Sequence, residues 1–414
     1  MIFFRNLLVV ALIASVIMTL LVEAANDKNR ARRLKKLEDR KKSKADSKGI
    51  STSANSKPES KIRPLVSKEE AICLAKRLYG ISTRNISELV SYDDKNFLIH
   101  VDTIIKNPAM VWPHGYVLKI INSLDTKKPA YFDGQTQLIL FLRQQGIECP
   151  KPVKNIFGKY NSIEKIGGSS HLVRLLEYIP GQMFDNVLKT KHLFYQVGHF
   201  VAKIDSALKP FQHDGFKNHT FLWMLDSVPQ LSKLLYAIND IKKQALIQEV
   251  LKEFDEKVLA HSANFSKGII HGDFNENNIV VTKTSSESNE FRVTGVIDFG
   301  DACYSFYIFE LAITIAYMIL QTSKLETAGY VIAGYQELRP IPNNERDVLK
   351  ICVAARLCQS LVLGAYTHTL NPENDYLLTT QENGWKVLSM IWDKPKKELD
   401  ELWFTTADEY FGAK

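Results

Sequence analysis

Apolar positions recur with two different periods along this chain, and the period changes near residue 180. Before that point short apolar runs are bounded by polar turns, at residues 86–90, 97–101, 116–121 and 171–179. Runs of this length, rich in β-branched and aromatic residues, predict strands. Two helices interrupt them. Ser67-Lys68-Glu69-Glu70 is an N-cap followed by Glu three residues on, which opens a helix that Gly80 closes. Residues 135–144 carry Leu138, Ile139, Phe141 and Leu142 at helical spacing and stop before Gly146. Pro180-Gly181 breaks the last strand, where a crossover between lobes is expected. Beyond residue 191 the spacing is helical, over 192–207, 228–241, 243–262, 309–320, 328–337, 344–368 and 396–410. A β-rich first part and a helical second part predict an α+β, bilobal architecture.

The helical half is interrupted once. Residues 278–282 and 291–297 are strand-like, and the polar stretch between them predicts a hairpin. His271-Gly272-Asp273-Phe274-Asn275-Glu276-Asn277-Asn278 leads into the hairpin, and Asp298-Phe299-Gly300-Asp301 follows it. An Asp, an Asn five residues on and a second Asp after an apolar strand suit phosphoryl transfer. One carboxylate engages the attacking hydroxyl, while an amide oxygen and the second carboxylate hold the magnesium that bridges nucleotide phosphates. Asp273 is therefore the candidate catalytic residue, and Asn278 and Asp298 are candidate metal ligands. Either motif alone is a common turn; the ordered pair across two strands is far more specific. Lys119 is a lone charge in the apolar run Val117-Leu118-Lys119-Ile120. A strand lysine among apolar neighbours needs an anionic partner to offset desolvation, and a nucleotide phosphate is one.

The formal charge of +7 over 414 residues belongs to one stretch. Residues 26–63 hold 14 Lys/Arg against 5 Asp/Glu, so the rest of the chain is slightly acidic and gives no argument for nucleic-acid binding. Residues 1–25 are an apolar segment long enough to cross a bilayer. It reads either as a cleaved leader or as an anchor that keeps a cytoplasmic catalytic domain at the membrane. Residues 26–66 are a basic, Ser/Lys-rich linker expected to be disordered and able to meet anionic headgroups. Five scattered cysteines without metal-type spacing suggest free, buried thiols in a reducing compartment.

A strand lysine, a helix, a strand ending in Pro180-Gly181 and then the two acidic motifs, in that order, resemble the aminoglycoside phosphotransferase/choline kinase group of protein-kinase-like folds, over about residues 67–414. Within that group, the segments 91–97, 173–181, 296–301, 309–314 and 356–361 are similar to the hydroxylysine kinases. The resemblance implies a nucleotide-binding N-lobe over 67–180 and a catalytic C-lobe over 181–414. It implies Mg2+ as cofactor and transfer of the γ-phosphate of GTP, or ATP, to the hydroxyl of 5-hydroxy-L-lysine. By position, Asp273 becomes the catalytic base, Asn278 and Asp298 the magnesium ligands, and Lys119 the phosphate-binding lysine. Leu176, Glu177, Tyr178 and Ile179 become the linker whose backbone meets the purine.

One departure stands out. The kinase-like fold expects a helix Glu beside the strand lysine, and this chain offers Asp133 and Gln135 instead. Asp133 is expected to pair with Lys119 from a closer helix, or Gln135 to hydrogen-bond it. An amino-acid acceptor with an extra ammonium calls for Asp301 and Glu310 on its ammonium groups and Arg356 on its carboxylate. The structural alternatives are that Asp301 braces its loop and that Arg356 pairs with Glu310. His271 is expected to brace the loop. Rival functions are a kinase for choline, ethanolamine or an aminoglycoside, and a membrane-tethered pseudokinase scaffold.

Overall fold

The protein is described by a computed structural model over residues 62–101, 112–370, 372, 378 and 380–412. The expected apolar segment and most of the basic linker lie outside these residues. Helix α1 (Lys68–Tyr79) has the expected capping box, with Ser67 and Glu70 each satisfying the other's backbone N–H, and Gly80 ends it at φ 66°.

Then come β1 (Thr83–Leu89), β2 (Lys95–Val101), β3 (Tyr116–Ile120), α2 (Pro129–Gln144), β4 (Pro152–Val153), β5 (Asn161–Ile166) and β6 (Ser169–Glu177). The strands form one sheet in the order β1-β2-β3-β6-β4, with β5 also on β6 and every pairing antiparallel. Its register sets Asn96 opposite Lys119, and Lys119 opposite Arg174. Facing residues on an antiparallel pair point to the same side of the sheet. Helix α2 starts six residues earlier than its apolar spacing indicates, because Pro129 occupies the first helical turn, where a missing N–H costs nothing.

The second lobe holds β7 (Gln182–Met183), α3 (Lys191–Leu208), α4 (Ile241–Glu253), β8 (Lys267–Ile270), β9 (Ile279–Lys283), β10 (Phe291–Val296), β11 (Cys303–Phe306), α5 (Tyr307–Thr322), α6 (Thr327–Gln336), α7 (Asn343–Arg346), α8 (Leu349–Leu370), α9 (Gln381–Trp392) and α10 (Lys396–Gly412). The hairpin β9–β10 forms as expected, and β7 adds to its edge directly after the crossover. Two expectations fail locally. The single helix expected over 228–241 does not form: 3-10 turns that include Pro229 run over Leu225–Ala237, and α4 begins only at Ile241. The helix expected over 243–262 is α only to Glu253, then widens to a π turn over Phe254–Val258 and tightens to a 3-10 turn over Leu259–Asn264.

A small core under the first sheet gathers Leu74, Leu78, Phe97, Tyr116, Leu118 and Leu175. The larger core takes in the second lobe and also Tyr131, Leu138 and Leu142 of α2, so α2 ties the lobes together. Among the described residues, α8 is the one helix long and apolar enough to cross a membrane, and it is mostly buried as a core helix. All five cysteines are free; Cys149, Cys303, Cys352 and Cys358 are buried as expected, while Cys73 is exposed on α1.

Helices α3 and α6 cross at two glycines. A Cβ on Gly198 would overlap the Val331 carbonyl oxygen, and one on Gly334 would overlap that of Tyr195. Backbone cannot yield as a flexible side chain does. Gly198→Ala is expected to destabilise the fold by about 3 kcal/mol, seen as a lower urea midpoint at unchanged m. A midpoint equal to that of the parent would show that the helices do not meet this closely.

Candidate active site

The loop between β8 and β9 is built around its own backbone. Asn275 N–H donates to the Asp273 carbonyl (2.9 Å), and Asn278 N–H to that of Asn275 (3.1 Å). Gly272 has φ 80°, and a Cβ there would overlap the Asp301 carbonyl oxygen, so only glycine lets this loop touch the segment after β10. His271 is fully buried. Its Nε2 donates to the Ile297 carbonyl (3.0 Å), and its Nδ1 accepts from Asp273 N–H (3.3 Å). It therefore braces the loop, as expected, and burial lowers its pKa.

Asp273 is held on both oxygens. Oδ1 accepts from Arg356 Nη2 (2.8 Å), and Oδ2 accepts from Asn275 Nδ2 (2.9 Å) and Asn278 Nδ2 (3.0 Å). Asn278 spends its amide N–H groups on Asp273, and its Oδ1 accepts no hydrogen bond among the described residues. Ile297 N–H donates to the Asn278 carbonyl (2.9 Å), which sets Asp298 beside Asn278. Asp298 has φ 59°, a left-handed conformation that Asp tolerates and that clusters at functional sites. Its Oδ1 accepts from Lys119 Nζ (2.8 Å). Burial is the largest influence and alone would raise the Asp298 pKa, but the Lys119 charge and hydrogen bond, joined by the charges of Arg174 and His271, together outweigh it and hold the carboxyl down at about 2. The side chain is nonetheless 42% open, onto the cleft.

Asp133 does not pair with Lys119. It lies near His213 (3.3 Å) on the outer face of α2, with 60% of its side chain exposed. The reason is helical period: Gln135 is fully buried on the inner face, and two residues turn the helix by about 200°. Gln135 does not reach Lys119 either. Its Oε1 accepts from Arg174 Nη1 (2.8 Å), and its Nε2 donates to the Gly300 carbonyl (3.3 Å). Tyr131 Oη donates to the same carbonyl (2.7 Å), so α2 grips the segment after Asp298 through neutral groups.

Tyr131, Arg174, Asn275 and Gly300 of this network border one cleft of about 520 Å³, within the range of small-molecule sites. Lys119, Leu176, Glu177, Tyr178, Ile179, Asp273, Asn278, Asp298 and Asp301 all line it. At the linker, Trp112 Nε1 donates to the Tyr178 carbonyl (2.7 Å) and Tyr178 N–H to that of Gly115 (3.0 Å). The neighbouring Ile179 N–H has no acceptor among the described residues. At the other end stand Asp93, Asp301, Tyr92, Trp223 and Tyr317. Burial, then repulsion from Asp94 and Asp125, pushes Asp93 up to about 7. Burial and the neighbouring Asp273 push Asp301 well above the usual carboxylate range. Tyr92 closes this end by hydrogen-bonding Thr367 of α8.

Two further expectations need correction. Glu310 and Arg356 do not line the cleft. Glu310 is fully buried on α5 behind the loop, where it accepts from Gly272 N–H (2.9 Å), and burial pushes it up to about 7. Arg356 is 1% exposed and pairs with Asp273, not Glu310. It also donates to the Trp223 carbonyl (3.1 Å) and Gln359 Oε1 (3.0 Å). An arginine on an apolar helix signals that a partner exists but not which one. Arg356→Met would strip the cation from Asp273. It is expected to cost about 3 kcal/mol, the lower end for breaking a buried pair, because Asp273 keeps one face on the cleft. Chemical denaturation measures this; a loss below about 1 kcal/mol would assign the pair no structural weight.

Residues 108–343 match the model of the phosphotransferase enzyme family. The chain belongs to that family. Hydroxylysine kinase of Xenopus laevis is 37% identical over 361 residues, covering 84% of this chain and 96% of the relative. Hydroxylysine kinase of Bos taurus is 34% identical over 359 residues, covering 84% and 95%. Among solved structures, an amicoumacin kinase with AMP-PNP, Ca2+ and Ami superposes at a TM-score of 0.59 and 17% identity, covering 81% of this chain and 94% of that one, a likeness of fold. This phosphotransferase thus has the bilobal, kinase-like α+β fold and acts on an alcohol group. The sequence reading of its site missed Arg174, Asp93 and Asp94. Arg174 gave the same signal as Lys119, a lone charge inside an apolar strand.

Proposed function

We propose that this phosphotransferase moves the γ-phosphate of GTP, as its magnesium complex, to the side-chain hydroxyl of 5-hydroxy-L-lysine. The observation that carries the reading is the convergence of Asp273, Asn278, Asp298 and Lys119 on one cleft, in a chain whose relatives are hydroxylysine kinases. Magnesium suits the donor set. Among the described residues no three His, Cys, Asp or Glu side chains cluster to cage a metal. Magnesium prefers one or two protein oxygens completed by phosphate and water, and Asn278 Oδ1 with the Asp298 carboxylate would hold it. Once bound, it would offset charge on the phosphates.

The rest falls to side chains of this protein. Lys119, released from Asp298, meets phosphate oxygens. Asp273, its oxygens fixed by Arg356, Asn275 and Asn278, accepts a hydrogen bond from the acceptor hydroxyl and takes its proton as the bond to γ-phosphorus forms and the bridging bond to the nucleotide breaks. The free Ile179 N–H meets the base, and Glu177 offers a carboxylate to the N1–H and N2–H of guanine. Asp93, repelled by Asp94 and Asp125, and Asp301, repelled by Asp273, suit an acceptor with ammonium groups, whose charge would relieve that repulsion. Lys128, which lines the same cleft and pairs with Asp125 (2.9 Å), is the cation we assign to the acceptor carboxylate.

The full chain should therefore transfer phosphate from GTP to 5-hydroxylysine only when magnesium is present, and chelation should stop it. Chromatography of the labelled acceptor measures this. Turnover of choline, ethanolamine or an aminoglycoside in place of hydroxylysine, or of ATP in place of GTP, would reject the assignment.

A further inference from the structure

Arg174 on β6 is a buried cation for which the mechanism above has no task. It is 3% exposed, yet it lines the nucleotide cleft. Its register partner on β3 is Lys119, so the two cations stand side by side on one face of the sheet. Like charges in that arrangement repel, and anions must offset them. Asp298 pairs with Lys119. Arg174 has no ion pair among the described residues and feels Asp298 and Asp94 only at longer range.

The hydrogen bonds of Arg174 are also incomplete. Nη1 donates to Gln135, a neutral group, and the guanidinium lies over the Phe132 ring at 5.3 Å. Nε is buried with no acceptor, and Nη2 has none among the described residues. Buried charged donors without partners are costly in a finished core. Asn96, on the other side of Lys119 in the same row, also lines the cleft and has a buried Oδ1 without a partner. A row with two cations and unspent polar atoms, facing a cleft, matches a polyanion.

We propose that Arg174 is a second cationic contact for the polyphosphate of the donor nucleotide, acting beside Lys119. Gln135 holds one arm of the guanidinium, and the free arm is left for phosphate oxygens. Once Asp298 is engaged by metal, Lys119 and Arg174 face the phosphates together. The neutral Gln135 fits this role better than a helix carboxylate would, because it anchors Arg174 without neutralising it. This inference rests on the cleft being a nucleotide site.

The test compares Arg174→Met with the parent in the full chain. Dissociation constants for GTP and GMP, and for ATP and AMP, are measured by displacement of a fluorescent nucleotide with magnesium present. Loss of a charge-assisted contact should weaken triphosphate binding by about tenfold or more and leave monophosphate binding within about twofold. Arg174→Lys, which keeps charge without the fork, should fall between parent and Met, and it decides the matter if the Met variant fails to fold. Equal losses for tri- and monophosphates would make Arg174 a structural residue and overturn the proposal, as would no loss at all. A parent that binds no nucleotide would instead reject the reading of the cleft.

Discussion

Asp273→Asn should lower kcat by about 10³-fold while GTP still binds with near-parental affinity. The substitution keeps size but removes the group that accepts the hydroxyl proton. It also replaces an acceptor with an amide beside three donors, from Arg356, Asn275 and Asn278. The loop loses orientation as well as basicity, so the loss should lie in the chemical step. Single-turnover transfer and a separate nucleotide titration distinguish the two. Activity within tenfold of the parent would remove Asp273 from the reaction, and a parallel loss of GTP affinity would point to collapse of the loop.

Asp298→Asn should be comparably damaging, about 10³-fold in turnover, for a different reason. Here the expected signature is in magnesium dependence. The parent should saturate with magnesium, and the variant should need far more. Without metal the order reverses. Lys119 no longer has Asp298 at 2.8 Å to compete for it, so the variant should bind metal-free GTP at least as tightly as the parent. Calorimetry with and without magnesium reads both signs. A variant that loses metal-free affinity too would show that Asp298 shapes the cleft instead of holding an ion.

The residues legible in the sequence are those whose positions are fixed by local geometry. A hairpin of fixed length ties Asp273, Asn278 and Asp298 together, so their meeting follows from the chain itself. The Gly80 and Gly272 turns are similarly local. What depends on packing between distant elements was not legible. Arg356 could be seen to need a partner, but whether Glu310 or Asp273 met it depended on how α8 crosses the loop. Asp133 and Gln135 lie two positions apart, and only the rotation of α2 against the sheet decides which faces inward. The short strands β4, β7, β8 and β11 have too few residues for a period, and their existence follows from the partners they meet.

Arg356 lies 13 residues beyond the stretch that matches the family model, which ends at 343. Helix α10 lies further still, and it packs so closely on α6 that a Cβ on Gly329 would strike Thr406. A fragment trimmed to the matched stretch would discard the guanidinium that steers Asp273 and uncover one side of the helical lobe. A working fragment of this enzyme is therefore expected to reach past both the ion pair and the helix contact, well beyond the matched stretch.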